Sequence, residues 1–140
     1  MLATAAAVSP ARAQNAEAAA WMSRDEIVEA FVDRQLSGVY PSGVPWSELV
    51  RRDGTSDYRE GQSRREGRWW MSGDHFCFTY ARPQSGGCFH VVKIGNNCYE
   101  LYAVGTSGGA SAPPSGAKRH WNGRMWRDEA PATCQELPTT

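Results

Sequence analysis

The sequence predicts a mainly β chain of the α+β kind: an antiparallel meander folded into a curved sheet or a small, partly closed barrel, with one N-terminal helix. Three observations lead there. Between residues 46 and 104, short apolar runs recur at intervals of about ten residues, separated by Gly, Asn, Asp and Pro. Fourteen Gly and eight Pro, with six Trp, five Tyr and four Phe, suit short strands on tight turns around a thin core of flat side chains. One segment only, behind Ser23, carries apolar residues at helical spacing.

In chain order, the apolar run 2–8 and the A-x-A site Ala11-Arg12-Ala13 before Gln14 read as the remnant of an export signal over residues 1–13. Met1 stands directly in the apolar part, where a complete signal would first carry a basic segment. Residues 14–22 read as a flexible leader, and residues 23–140 as a single domain. Ser23-Arg24-Asp25-Glu26 is a capping box, with acidic residues at the positive end of the helix dipole. Ile27, Val28, Phe31, Val32 and Leu36 continue it as one stripe, so the helix is expected to run to Ser37-Gly38.

Strands follow at 46–51, 55–59, 68–71, 75–80, 88–94 and 98–104, with Asp53-Gly54 as a type I′ hairpin turn between the first pair. Residues 105–117 (GTSGGASAPPSGA) hold no large apolar side chain and are expected to form a mobile loop. Asn122-Gly123, between Trp121 and Trp126, suggests a last short hairpin.

His75-Phe76-Cys77 and Cys88-Phe89-His90 are mirror images about one point in the chain. An antiparallel hairpin in that register sets Cys77 against Cys88 and His75 against His90 on one face, leaving Phe76, Phe78, Tyr80, Phe89 and Val91 for the core face. In an oxidising compartment the opposed cysteines form a disulfide. The alternative, a Cys2His2 zinc site, lacks the usual short C-x2-C spacing. Cys98 and Cys134 are then left to each other, although four cysteines allow other pairings, including Cys77 or Cys88 with Cys98.

Trp46, Trp69, Trp70, Trp121 and Trp126 suit either a core or a ligand surface. Trp69 and Trp70 must face opposite ways, which makes that pair, with His75 and His90, the binding candidates. Arg51, Arg52, Arg59, Arg64, Arg65 and Arg68 are interleaved with Asp53, Asp57, Glu60 and Glu66 and read as a solvated rim. Asp74-His75 is not expected to work as a dyad, and the sequence holds no G-x-S-x-G, H-E-x-x-H, Walker or dinucleotide motif.

D-G-T from Asp53, G-R-W-W from Gly67, G-D-H-F-C-F-T-Y from Gly73 and then Cys88 resemble small exported bacterial proteins of a domain-of-unknown-function family. The resemblance covers roughly Ser23 to Val104. It implies an exported β-sheet fold and transfers no active site. Lysine plus arginine and aspartate plus glutamate each number 15, which argues against a nucleic-acid partner. No segment reaches the roughly 18 apolar residues of a membrane span. The expected role is an exported, non-enzymatic binding or structural module without a cofactor, for a protein partner, an envelope component or a small ligand. The alternatives are a metal-binding protein using His75 and His90, and an envelope-acting enzyme using His75, His90 or Asp74 as acid or base.

Overall fold

The computed structural model describes residues 20–81, 86–105, 113 and 120–134. The signal remnant, most of the leader, the tip of the 75–90 hairpin and nearly all of the 105–117 loop lie outside them. Helix α1 spans Arg24–Phe31 behind the expected capping box: Ser23 Oγ accepts from the Glu26 amide and Glu26 Oε1 accepts from the Ser23 amide. The Asp74 carboxylate adds a third acceptor, taking the Arg24 amide at 2.8 Å.

The helix ends well before Ser37-Gly38, which corrects the reading from periodicity. Val32 is already extended, and Asp33 turns the chain with φ of 61°. Asp33 holds this corner from both sides: its amide donates to the Val50 carbonyl, and its carboxylate accepts from the Arg52 amide and Nε. Leu36 therefore belongs to a strand, where alternation rather than a helical stripe buries it.

Eight strands follow: β1 Arg34–Val39, β2 Pro45–Val50, β3 Thr55–Glu60, β4 Ser63–Ser72, β5 His75–Tyr80, β6 Gly86–Gly95, β7 Cys98–Ala103 and β8 Gly123–Arg127. Each pairs antiparallel with the next, and β8 pairs with β1, so the barrel closes completely. Closure leaves no sheet edge to protect. At the end where β1 begins, α1 plugs the barrel. Phe31 is fully buried, with its ring 5.7 Å from Phe76 and 4.8 Å from Tyr99. Ile27, Val50 and Val91 complete this apolar stopper.

Asp53-Gly54 does turn the chain, but not as type I′, because only Gly54 has positive φ. Arg51 and Thr55 close a three-residue loop with Gly54 in the left-handed position, and Asp53 Oδ1 accepts from the Thr55 amide and hydroxyl. Asn122-Gly123 forms no hairpin. Asn122 bonds both ways to β7, giving its amide to the Leu101 carbonyl and taking the Ala103 amide, and so starts β8.

Both disulfides join the expected partners, Cys77 with Cys88 and Cys98 with Cys134. The first bridges β5 and β6 on the outer surface, with Phe76 and Phe78 on the inner one. The second ties down the chain after β8, where Asn97 also gathers the carbonyls of Arg127, Ala130 and Pro131. Across β7 and β8, Arg124 donates to the buried Glu100 at 2.9 Å.

Candidate functional site

Among the described residues, none fills the end of the barrel away from α1. A cavity of about 550 Å³ opens there, with Leu36, Phe78, Leu101 and Met125 as its apolar floor. Its wall is a belt of aromatic rings in mutual contact. The order is Tyr40, Trp46, Tyr58, Tyr80, Phe78 and Phe89, with ring centroids between 5.2 and 6.4 Å apart at each step.

Two glycines make room for this belt. At Gly38 a Cβ would stand 2.2 Å from the Trp46 ring, and at Gly67 another would stand 2.6 Å from the Tyr80 ring. The indole and the phenol thus lie flat across the inner surface of β1 and β4, in space that any other residue would occupy. The Trp46 Nε1–H is buried there with no partner among the described residues.

Inside the belt stands Glu48, an inward residue of β2 between Trp46 and Val50, only 4% exposed. The Tyr80 hydroxyl donates to Glu48 Oε2 at 2.6 Å. Burial pushes the Glu48 carboxyl up to about 7, against the Tyr80 hydrogen bond, which holds it down. The Ser56 hydroxyl lowers it further and the negative Asp57 raises it. Ser56 Oγ makes no hydrogen bond of normal geometry, so its influence is that of a nearby dipole.

Nearer the mouth, Tyr58 donates to Glu60 Oε2 at 2.8 Å. Having given its one proton there, Tyr58 accepts from the Tyr40 hydroxyl, 2.5 Å away. Burial raises all three phenols, Tyr40, Tyr58 and Tyr80, above their ordinary range, so they serve as neutral donors. Arg65 also lines the cavity.

No family model, curated protein or solved structure matches this chain.

The four binding candidates of the sequence, Trp69, Trp70, His75 and His90, lie elsewhere. Trp69 points inward near the helix, its ring 5.9 Å from Phe76 and its Nε1 donating to the Arg51 carbonyl. Trp70 points outward from β4 beside Cys77 and is 45% exposed. His75 and His90 do meet, edge to face at 4.5 Å, on the outer surface. Trp21 stacks on His90 at 4.6 Å. Burial, then the His75 charge, lowers the His90 pKa.

With Cys77 and Cys88 joined, neither offers zinc a thiolate, and the described residues contain no metal-holding group of three His, Cys, Asp or Glu. Asp74 is spent on the helix terminus. The arginine-rich stretch collects on the outer Asp57, which Arg64 grips through two bonds of 2.9 and 3.0 Å, with Arg59 and Arg51 at 3.5 and 3.9 Å. Reading the residues in sequence missed Glu48, Tyr58 and Tyr80. The available signal was the alternation Trp46, Glu48, Val50, which puts a carboxylate in a core slot.

Proposed function

We propose that this chain is an exported, non-enzymatic binding module whose barrel takes one small, largely apolar ligand through its open end. The cavity of about 550 Å³ carries this reading. That volume suits small-molecule sites, which span roughly 300–1,000 Å³. An eight-stranded barrel also stands at the size where the interior is either filled by side chains or holds one small ligand. With α1 stopping one end, ligand would enter and leave by a single mouth.

The wall, in its described residues, lacks the nucleophile and base pairs of Ser, Thr, Cys or Lys covalent catalysis. Among the described lining residues there is no Ser, Thr, His or Lys, and Cys88 is committed to a disulfide. Export is supported by the two disulfides, which form and persist in oxidising compartments. The Ala11-Arg12-Ala13 site and the motif resemblance to small exported bacterial proteins point the same way.

The test is titration with N-phenyl-1-naphthylamine, a neutral dye whose fluorescence rises in apolar surroundings. Saturable binding is expected, weakened about tenfold or more by Ala103→Trp, which would fill the mouth while circular dichroism stays unchanged. Absence of saturable binding, or binding that Ala103→Trp leaves intact, would refute the cavity as the site.

A further inference from the structure

We propose that the cavity selects an organic cation, a protonated amine on an apolar body, seated with its ammonium against Glu48 and within the aromatic belt. This rests on the cavity being the binding site and specifies the ligand's chemistry.

Among the described residues, Glu48 is a carboxylate without a counter-charge. It is 4% exposed, and what faces it comes from three strands. On β3 these are Ser56 and Tyr58, with the negative Asp57 acting from the outer face; on β5 it is Tyr80; on β1 it is Leu36, its register partner. None is cationic, and among the described residues no ion pair reaches Glu48. A buried carboxylate in such a place is costly when ionised unless a cation joins it. Among the described residues none supplies that cation, and a cationic ligand would.

Two further features agree in sign. Ring faces attract cations through their quadrupole, and here six contiguous rings from Tyr40 to Phe89 line the same cavity as the carboxylate. A second carboxylate, Glu60, stands at the mouth, held by Tyr58. Against these stands Arg65, also at the mouth. It is the register partner of Tyr58, its charge acts on the Tyr40 phenol, and it is not among the groups that act on Glu48. An anionic ligand reaching the floor would have to pass Glu60 and lie beside Glu48. A cation passes Arg65 at the mouth but meets a carboxylate there in Glu60 and another further in at Glu48.

The geometry also makes selection sensitive to pH. The empty site's Glu48 carboxyl stands at about 7, so an ammonium gains its ion pair fully only above that value. An alkylamine remains protonated throughout the acid range, so any loss of affinity on acidification reports the protein rather than the ligand.

The experiment displaces N-phenyl-1-naphthylamine with tryptamine and with indole-3-propionate, two ligands of like shape and opposite charge. At about pH 8, tryptamine should bind roughly tenfold tighter or more, and at about pH 6, where the propionate is still ionised and the amine still protonated, that preference should collapse. Glu48→Gln, nearly isosteric, should retain dye binding and lose the preference at both pH values. Should that variant fail to fold, the wild-type pH profile decides alone. Dye binding with no amine preference, or with preference for the acid, overturns the cation and leaves the cavity reading standing. If neither dye nor amine binds, both readings fall together.

Discussion

Tyr80 and Glu48 meet inside the barrel through a 2.6 Å hydrogen bond that exists because Gly67, one strand away, has no side chain. The phenol ring occupies the space a Cβ would take, which brings its hydroxyl across to β2. The pair couples a packing detail to a titration.

Glu48 should make the empty protein less stable as pH rises. Its carboxyl stands at about 7 in the folded chain, against 4.5 for the ordinary value. Between the two the folded state binds more protons than the unfolded one, so stability falls as pH rises through this window. The full penalty, on the order of 3 kcal/mol, applies above about pH 7 and disappears below about pH 4.5. Glu48→Gln should therefore stabilise the protein at about pH 8 and do much less at about pH 5, as read from urea midpoints. An equal effect at both values would mean that Glu48 is ionised across the range.

Gly67→Ala should cost about 1 to 3 kcal/mol, the usual range for forcing an extra carbon into a packed interior. The new methyl would lie 2.6 Å from the Tyr80 ring and from Ser56 Oγ. The ring must tilt, and its hydroxyl leaves Glu48. Because that bond lowers the carboxyl, its loss should move the Glu48 titration further up, which carboxyl-selective NMR can follow. A Gly67→Ala protein with unchanged Glu48 titration would show that the ring relaxes without releasing its bond.

Where a feature was set by neighbours in sequence, it could be read there. The Ser23 and Glu26 cap is such a case, because its partners are three residues apart. The Cys77 and Cys88 register is another, because a hairpin places mirror-image residues opposite each other. The segment from Val32 to Val39 could not be read this way. Its apolar positions fit a helix as well as a strand, and pairing with β2 on one side and β8 on the other decides the matter. Closure of the barrel depends on that same strand.

The cavity was hidden for a related reason. Glu48 and Tyr80 are 32 residues apart, and the glycine that joins them lies on a third strand. The aromatic residues were visible as candidates for a core or a pocket, but their order around the wall follows from strand order. Trp69 and Trp70 drew attention as a pair, although the open end of the barrel is lined by Trp46.

Those two tryptophans should respond oppositely to truncation. Trp69→Ala removes a ring packed on Phe76 and strands the Arg51 carbonyl, and about 3 kcal/mol or more should be lost. Trp70 projects from the outer face at 45% exposure, so Trp70→Ala should change stability by no more than about 0.5 kcal/mol. Neither lines the cavity, and dye affinity in Trp70→Ala should match wild type. A Trp70→Ala protein that binds dye weakly would relocate the site to the outer face.

The two disulfides should contribute unequally. Cys98 and Cys134 are separated by 36 residues, Cys77 and Cys88 by 11. On loop-closure entropy alone, the longer link should contribute about 4 kcal/mol and the shorter about 3 kcal/mol. Their surroundings widen the gap. The β5–β6 pair retains its backbone ladder without the bridge, and Phe76 opposite Phe89 keeps the register. The segment around Cys134 follows the last strand and depends on Asn97, Thr133 and the disulfide for its attachment. Replacing Cys98 and Cys134 together with serine should thus lower the urea midpoint more than replacing Cys77 and Cys88 together. The reverse order would mean that the hairpin bridge restrains the barrel beyond its own two strands, through the Trp70 neighbour that packs beside it on β4.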